Sequence, residues 1–206
     1  MVKKVTDTQR FSKAMAVVFM PQITSAYAFM ALATATGSRN TLLYLAIAVV
    51  FAALIQVSSL LVYIQLSRKD VNIADRQDRP TLFVIATISY LVGFILLRGL
   101  LAPFIFSALM FAYFANSILA AVITKYLTKV SVHTWGITGP SVAILHSLGI
   151  LAFAAALALG VVVGITRITL RYHTWAQVLL SFVVSIPFTW FIVYLVPTIF
   201  PTMFSL

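Results

Sequence analysis

The 206-residue chain contains no cysteine and no glutamate. The first absence excludes disulfide frameworks, cysteine nucleophiles and thiolate metal sites. The second leaves Asp7, Asp70, Asp75 and Asp78 as the only side-chain carboxylates. Acid–base chemistry therefore falls to those four, to His133, His146 and His173, or to the backbone. Charge is scarce as well, at 9% of residues, whereas hydrophobic residues make up 62%. A soluble domain is about 25% charged and about 45–50% apolar. With a mean hydropathy of +1.07, a water-soluble globule of this size could not hide its apolar surface. The class this implies is an all-α, polytopic membrane helix bundle.

The charge that is present has one sign. Fourteen Lys and Arg face four Asp, for a net charge of +10. In a soluble protein that would suggest nucleic acid. In a chain this apolar it points instead to anionic lipid headgroups, a phosphate ligand or membrane topology. Membrane lipids are the expected partners, and nucleic acid is not.

A transmembrane helix needs about 20 mostly apolar residues. Such runs cover about 15–36, 42–66, 81–97, 103–124 and 174–196. The stretch 134–165 holds 32 residues with almost no charge. As one helix it would be about 48 Å long, too long for a core of about 30 Å. Two short helices turning near Gly149 fit better, wrapped by protein, with Gly160 and the alanines of 152–158 at close packing contacts. The total is about six to seven crossings in a single domain, residues 1–206. Residues 1–13 form a basic N-terminal segment, and a polar loop spans 67–80. The apolar run after the basic segment is too long for a cleaved signal peptide.

With seven crossings, one side collects Lys3, Lys4, Arg10, Lys13, Arg68, Lys69, Arg76, Arg79, Lys125, Lys129, Arg167 and Arg171, which is 12 of the 14 basic residues. Basic residues in short loops favour the cytoplasm. The crowded side is therefore expected to face the cytoplasm, in the plasma membrane of a prokaryote. A single crossing over 134–165 would move Arg167 and Arg171 and weaken the bias.

Three polar clusters share that side: 69–80, Ser131-Val132-His133, and Arg167 followed by His173 after five residues. A bend between two helices would bring Arg167 and His173 together. Arginine forks suit phosphate oxygens. Two histidines beside a phosphate can divide the work: a neutral imidazole attacks phosphorus, and an imidazolium protonates the departing oxygen. No metal or cofactor is required if arginines stabilise the charge.

On these residues the chain resembles the type 2 phosphatidic acid phosphatase superfamily of integral membrane phosphatases, over roughly residues 41–196. Thr166-Arg167-x5-His173-x3-Gln177 resembles that family's serine-arginine-x5-histidine-x3-aspartate motif, with threonine for serine and glutamine for aspartate. Ser131-Val132-His133 resembles the end of its proline-serine-glycine-histidine motif. Arg79-Pro80 matches the close of its lysine-x6-arginine-proline motif, with Asn72 at the lysine position. The resemblance implies a bundle of about six membrane helices and a metal-independent lipid phosphatase acting through a phosphohistidine. It implies His173 as nucleophile and His133 as general acid. Arg79, Arg167 and Arg76 would hold the phosphoryl group, with Ser131 assisting. Gln177 accepts a hydrogen bond from the His173 ring without a carboxylate's charge, and Asp75 or Asp78 would supply that charge. The substrate would be a lipid phosphate or a polyprenyl mono- or diphosphate.

Two other classes compete. One is a degenerate relative that binds lipid phosphate without turnover, suggested by Gln177 and the altered first motif. The other is a magnesium-dependent intramembrane prenyltransferase-like enzyme, suggested by Asn72-x-x-Asp75-x-x-Asp78. That reading lacks a second acidic loop, because no acidic residue follows Asp78. His146 reads as a packed bundle histidine. Trp135, Trp175, Tyr126 and Tyr172 read as an interfacial aromatic belt.

Overall fold

A computed structural model describes residues 7–67 and 79–199. Every regular element among them is helical. Helices α1 (Asp7–Val18) and α2 (Pro21–Thr34) meet at a 59° bend. Then follow α3 (Thr41–Ser67), α4 (Arg79–Gly99), α5 (Phe104–Tyr126), α6 (Val132–Thr138), α7 (Ser141–Leu148), α8 (Ile150–Thr169) and α9 (Trp175–Ile199). Five of them, α3, α4, α5, α8 and α9, are long and apolar enough to cross a membrane. The protein is a multi-pass helical membrane bundle.

The expected span at 15–36 is not one helix. It breaks at Phe19-Met20, because Pro21 takes the first position of a new helix, where its missing N–H costs nothing. The basic N-terminal segment is helical from Asp7 onward.

The turn expected near Gly149 is present. Gly149 adopts φ +84°, and open space surrounds its Cβ position. The two arms differ from the expectation of two equal short helices. The second arm, α8, has 20 residues and is a full span. The first is broken at Gly139-Pro140 into α6 and α7, of 7 and 8 residues. This broken crossing survives because it lies inside the bundle. Thr134, Thr138, Ser141, Val142 and Ala143 are all buried, and α6 packs on α2, α8 and α9. Its hydroxyls bond locally or across to α9, as between Thr138 Oγ1 and Ser185 Oγ at 2.6 Å. Lipid could not satisfy backbone groups at such a break, whereas neighbouring helices can.

Contacts order the two ends of the bundle. At one end Thr36 meets Thr41, Tyr44 donates to the Leu100 carbonyl, and His146 lies between the rings of Phe104 and Tyr194. At the other end the turn between α5 and α6 meets the first turn of α9, through Thr128 and Gln177. Counting the elbowed α1–α2 pair and the interior α6–α7 pair, the described chain traverses the bundle seven times.

A π-helical turn at Val50–Leu54 interrupts α3. The carbonyls it frees are taken by side chains: Ser25 donates to the Ala52 oxygen at 2.6 Å, and Ser89 and Gln56 donate to that of Phe51. The larger apolar core lies toward the far end around Phe29, Phe106, Leu109 and Met110. A smaller cluster around Ala120, Ile123, Val130 and Trp135 underlies the polar end.

Candidate active site

The site begins with how α8 stops. After Thr169 the chain reverses through Leu170 and Arg171, and Arg171 has φ +58°. The Arg171 N–H donates to the Ile168 carbonyl at 2.8 Å, and the Tyr172 N–H donates to that of Arg167 at 3.0 Å. This is the double bond pattern of a Schellman end, with arginine where glycine is usual. The reversal folds Tyr172 back so that the Arg167 guanidinium sits 4.5 Å from its ring centroid. It also brings the His173 N–H to the Arg167 carbonyl at 3.3 Å. The bend their spacing required is present and joins the two residues through the backbone. Both are buried, at 1% and 5% exposure.

Helix α9 starts immediately afterward with a capping box. The Gln177 N–H donates to Thr174 Oγ1, and the Thr174 N–H donates to Gln177 Oε1. The same Oε1 lies 3.1 Å from His173 Nδ1, and Gln177 Nε2 donates to Thr128 Oγ1 at 3.3 Å. These bonds orient the amide, because its oxygen meets a backbone donor and its nitrogen a hydroxyl. His173 Nδ1 must then carry the proton, which places the ring's lone pair on Nε2. The residue at the aspartate position of the resembled motif therefore does hold the histidine ring, while also capping a helix.

The Ser131-Val132-His133 segment opens α6. The Ser131 N–H donates to Ser181 Oγ at 3.1 Å, and Ser181 Oγ donates to the Gln177 carbonyl at 2.9 Å. One chain of hydrogen bonds therefore links Ser131, Ser181, Gln177 and His173. The Ser131 hydroxyl itself is buried against Thr134 Oγ1 at 3.0 Å. His133 is 8% exposed, and its Nε2 lies 3.2 Å from the Ala16 carbonyl. A carbonyl only accepts, so Nε2 is the protonated nitrogen.

His133 and Arg167 line the polar end of a cavity of about 190 Å³. Its deeper wall comes from Leu60 on α3, Phe83 and Tyr90 on α4, and Leu109 and Tyr113 on α5. His173 and Ser131 are not among its lining residues. Arg79 is the first residue of α4; its side chain, and Arg76, Asp75 and Asp78, lie outside the described residues.

His146 is at the opposite end beside the Phe104 and Tyr194 rings, but it is exposed there, so it is not the packed bundle histidine expected. Trp175 and Tyr126 are exposed, as belt residues would be. Trp135 is not a belt residue. It is 6% exposed and donates to Asn116 Oδ1 at 2.8 Å inside the bundle. The α6 helix is interior, so its tryptophan satisfies its N–H on a neighbouring helix instead of at the headgroups. Tyr172 is turned onto Arg167.

Composition and motif spacing did not disclose the Asn116–Trp135–Thr189 network. Thr174-x-x-Gln177 was available as a capping-box signal. Comparison with protein-family models, with curated proteins and with solved structures finds no match to this chain.

Proposed function

We propose that the protein is a membrane-embedded phosphatase that hydrolyses a lipid phosphate through a phosphohistidine on His173, without a metal. The observation that carries the reading is a fully buried arginine, Arg167, forming with His133 one end of an otherwise largely apolar cavity. Burying a guanidinium costs several kcal/mol unless partners compensate it, and buried intramembrane cations by default mark a functional site. A phosphate monoester at that end would receive the arginine fork, and its hydrocarbon would extend into the bundle.

In the proposed mechanism the neutral His173 attacks phosphorus through Nε2. Gln177 Oε1 holds the Nδ1 proton and disperses the charge that develops on the ring. The bond from phosphorus to the lipid oxygen breaks, and His133 protonates the leaving alcohol. His133 Nε2 is engaged on the Ala16 carbonyl, so Nδ1 is the nitrogen that delivers this proton. A water molecule then attacks the phosphohistidine and gives a proton back to His133, and inorganic phosphate leaves. Arg167, with Arg79 and Arg76, stabilises the phosphoryl oxygens. Ser131 acts by holding the turn, since its hydroxyl is spent on Thr134. The basic side of the bundle, and with it the site, faces the cytoplasm of a prokaryotic plasma membrane by the positive-inside rule.

The test is phosphate release from a panel of lipid monophosphates and diphosphates by purified protein in detergent with chelator. His173→Ala abolishes turnover and the acid-labile phosphoenzyme, whereas His146→Ala retains both. Equal activity in the two variants refutes the assignment. One observation favours a second reading, lipid-phosphate binding without turnover: His173 does not itself line the cavity. Saturable binding of a lipid phosphonate, lost in Arg167→Ala, together with no phosphate release would select it.

A further inference from the structure

Helix α1 ends against the site. In an unbroken helix the Ala16 carbonyl would accept from the Met20 N–H, but at the elbow that N–H turns to the Val17 carbonyl at 3.2 Å. The oxygen so released is the one that His133 Nε2 meets at 3.2 Å. The elbow also sets the direction of α1. Bent 59° from α2, its 12 residues run about 15 Å sideways and only about 9 Å along the α2 axis. It is an oblique helix beside His133, at the end of the bundle that also exposes Lys125 and Arg171.

Only a narrow face of α1 is covered by protein. Ser12 and Ala16 are buried, and the helix packs on α8. Phe11, Val17 and Val18 are 57%, 59% and 46% exposed, and Arg10 and Lys13 are exposed as well. These residues sort by flank. At 3.6 residues per turn, the direction of Arg10 and Lys13 lies about 120° from that of Phe11 and Val18. One flank is basic and the other apolar, the pattern of a helix lying at headgroup depth. Val17, next to the elbow, falls on the basic flank. Asp7 is the one acidic residue of α1, and its 3.9 Å contact with Arg10 joins two largely exposed side chains, so water screens it.

We propose that α1 docks on the anionic headgroup layer at the site end, and that this docking holds the Ala16 carbonyl on His133, so that turnover follows the surface charge of the bilayer. Arg10 and Lys13 are complementary to anionic headgroups, and a basic residue at such a surface strengthens binding about fivefold. Phe11 and Val18 enter the acyl boundary beside them. Undocked, α1 keeps only its narrow contact with the bundle, and the Ala16 carbonyl drifts from Nε2. His133 then loses the acceptor that fixes its proton on Nε2 and leaves Nδ1 to face the cavity. The effect on turnover rests on the phosphatase reading above; the docking does not.

The experiment places the full chain in nanodiscs of phosphatidylcholine alone, or of equal parts phosphatidylcholine and phosphatidylglycerol. An environment-sensitive dye on Ala14→Cys, an exposed position in a chain with no other cysteine, reports docking. Its emission shifts to the blue in the anionic discs, and the shift fades at high salt. Arg10→Gln with Lys13→Gln removes it. With a lipid monophosphate at saturation, kcat rises about fivefold or more in the anionic discs, and that ratio falls toward one in the double variant. An emission indifferent to lipid charge, or a shift retained in the double variant, overturns the docking. A gain confined to KM reports substrate enrichment at the surface and overturns the coupling to His133. If no lipid phosphate is turned over in any disc, the phosphatase reading fails separately. The coupling is then decided by affinity for a lipid phosphonate, and equal affinity in the two kinds of disc refutes it.

Discussion

Gln177 connects local helix chemistry to the proposed reaction. Its side-chain oxygen accepts from both the Thr174 N–H and His173 Nδ1. Gln177→Leu therefore removes a helix cap, costing about 1 kcal/mol of stability, and releases the ring tautomer, so phosphate release falls by roughly 10²-fold or more. Gln177→Glu, of the same length, keeps an acceptor at the same place and retains most of the rate in the same assay. A purely structural capping role predicts the stability change without the rate change. Arg171 poses a simpler question. A non-glycine residue in the left-handed region costs roughly 1–2 kcal/mol, and φ is +58° here. Arg171→Gly should raise the midpoint of thermal unfolding in detergent, or leave it unchanged if the arginine side chain is what holds the turn.

Helices α8 and α9 approach closely near the site. A Cβ on Gly164 would come within 2.6 Å of Val178 Cγ1, and one on Gly160 within 2.9 Å of Thr138 Cγ2. These glycines, four residues apart, form a small-xxx-small pair that lets α8 seat against α6 and α9. Gly164→Ala forces that seam apart and should cost on the order of 1–3 kcal/mol, with phosphate release impaired because Arg167 lies one turn along the same helix. Val178→Ala in the Gly164→Ala background removes the clashing methyls and should recover both melting temperature and activity. Failure of that rescue would place the strain elsewhere. The π-helical turn at Val50–Leu54 is a comparable device, since its freed carbonyls anchor α2 and α4 to α3.

The absence of cysteine gives the folded chain a clean background for mapping its orientation. Tyr126→Cys lies at the site end and Arg39→Cys in the turn before α3 at the other, both at exposed positions. In intact cells a membrane-impermeant maleimide should label Arg39→Cys, with Tyr126→Cys labelled only after permeabilisation. The reverse pattern would place the site outside and override the charge bias. Labelling of both from one side would contradict the three traverses, α3, α4 and α5, that separate the two positions.

Apolar run length and the one-sided charge were enough to read a multi-pass helical bundle, because lipid permits little else to a chain this hydrophobic. The turn at Gly149 was legible for the same reason, since 32 apolar residues do not fit one crossing. The bend that joins Arg167 to His173 through the backbone was legible in their spacing. Other features depended on contacts between segments far apart in the chain. Ser181 anchors Ser131 from 50 residues away, and the carbonyl of Ala16 meets His133 across 117 residues. The break at Gly139-Pro140 is tolerated only because α2, α8 and α9 surround it. Periodicity and composition report what a segment must bury. Which neighbour buries it, and which polar atoms are left facing a cavity, is settled when the helices pack.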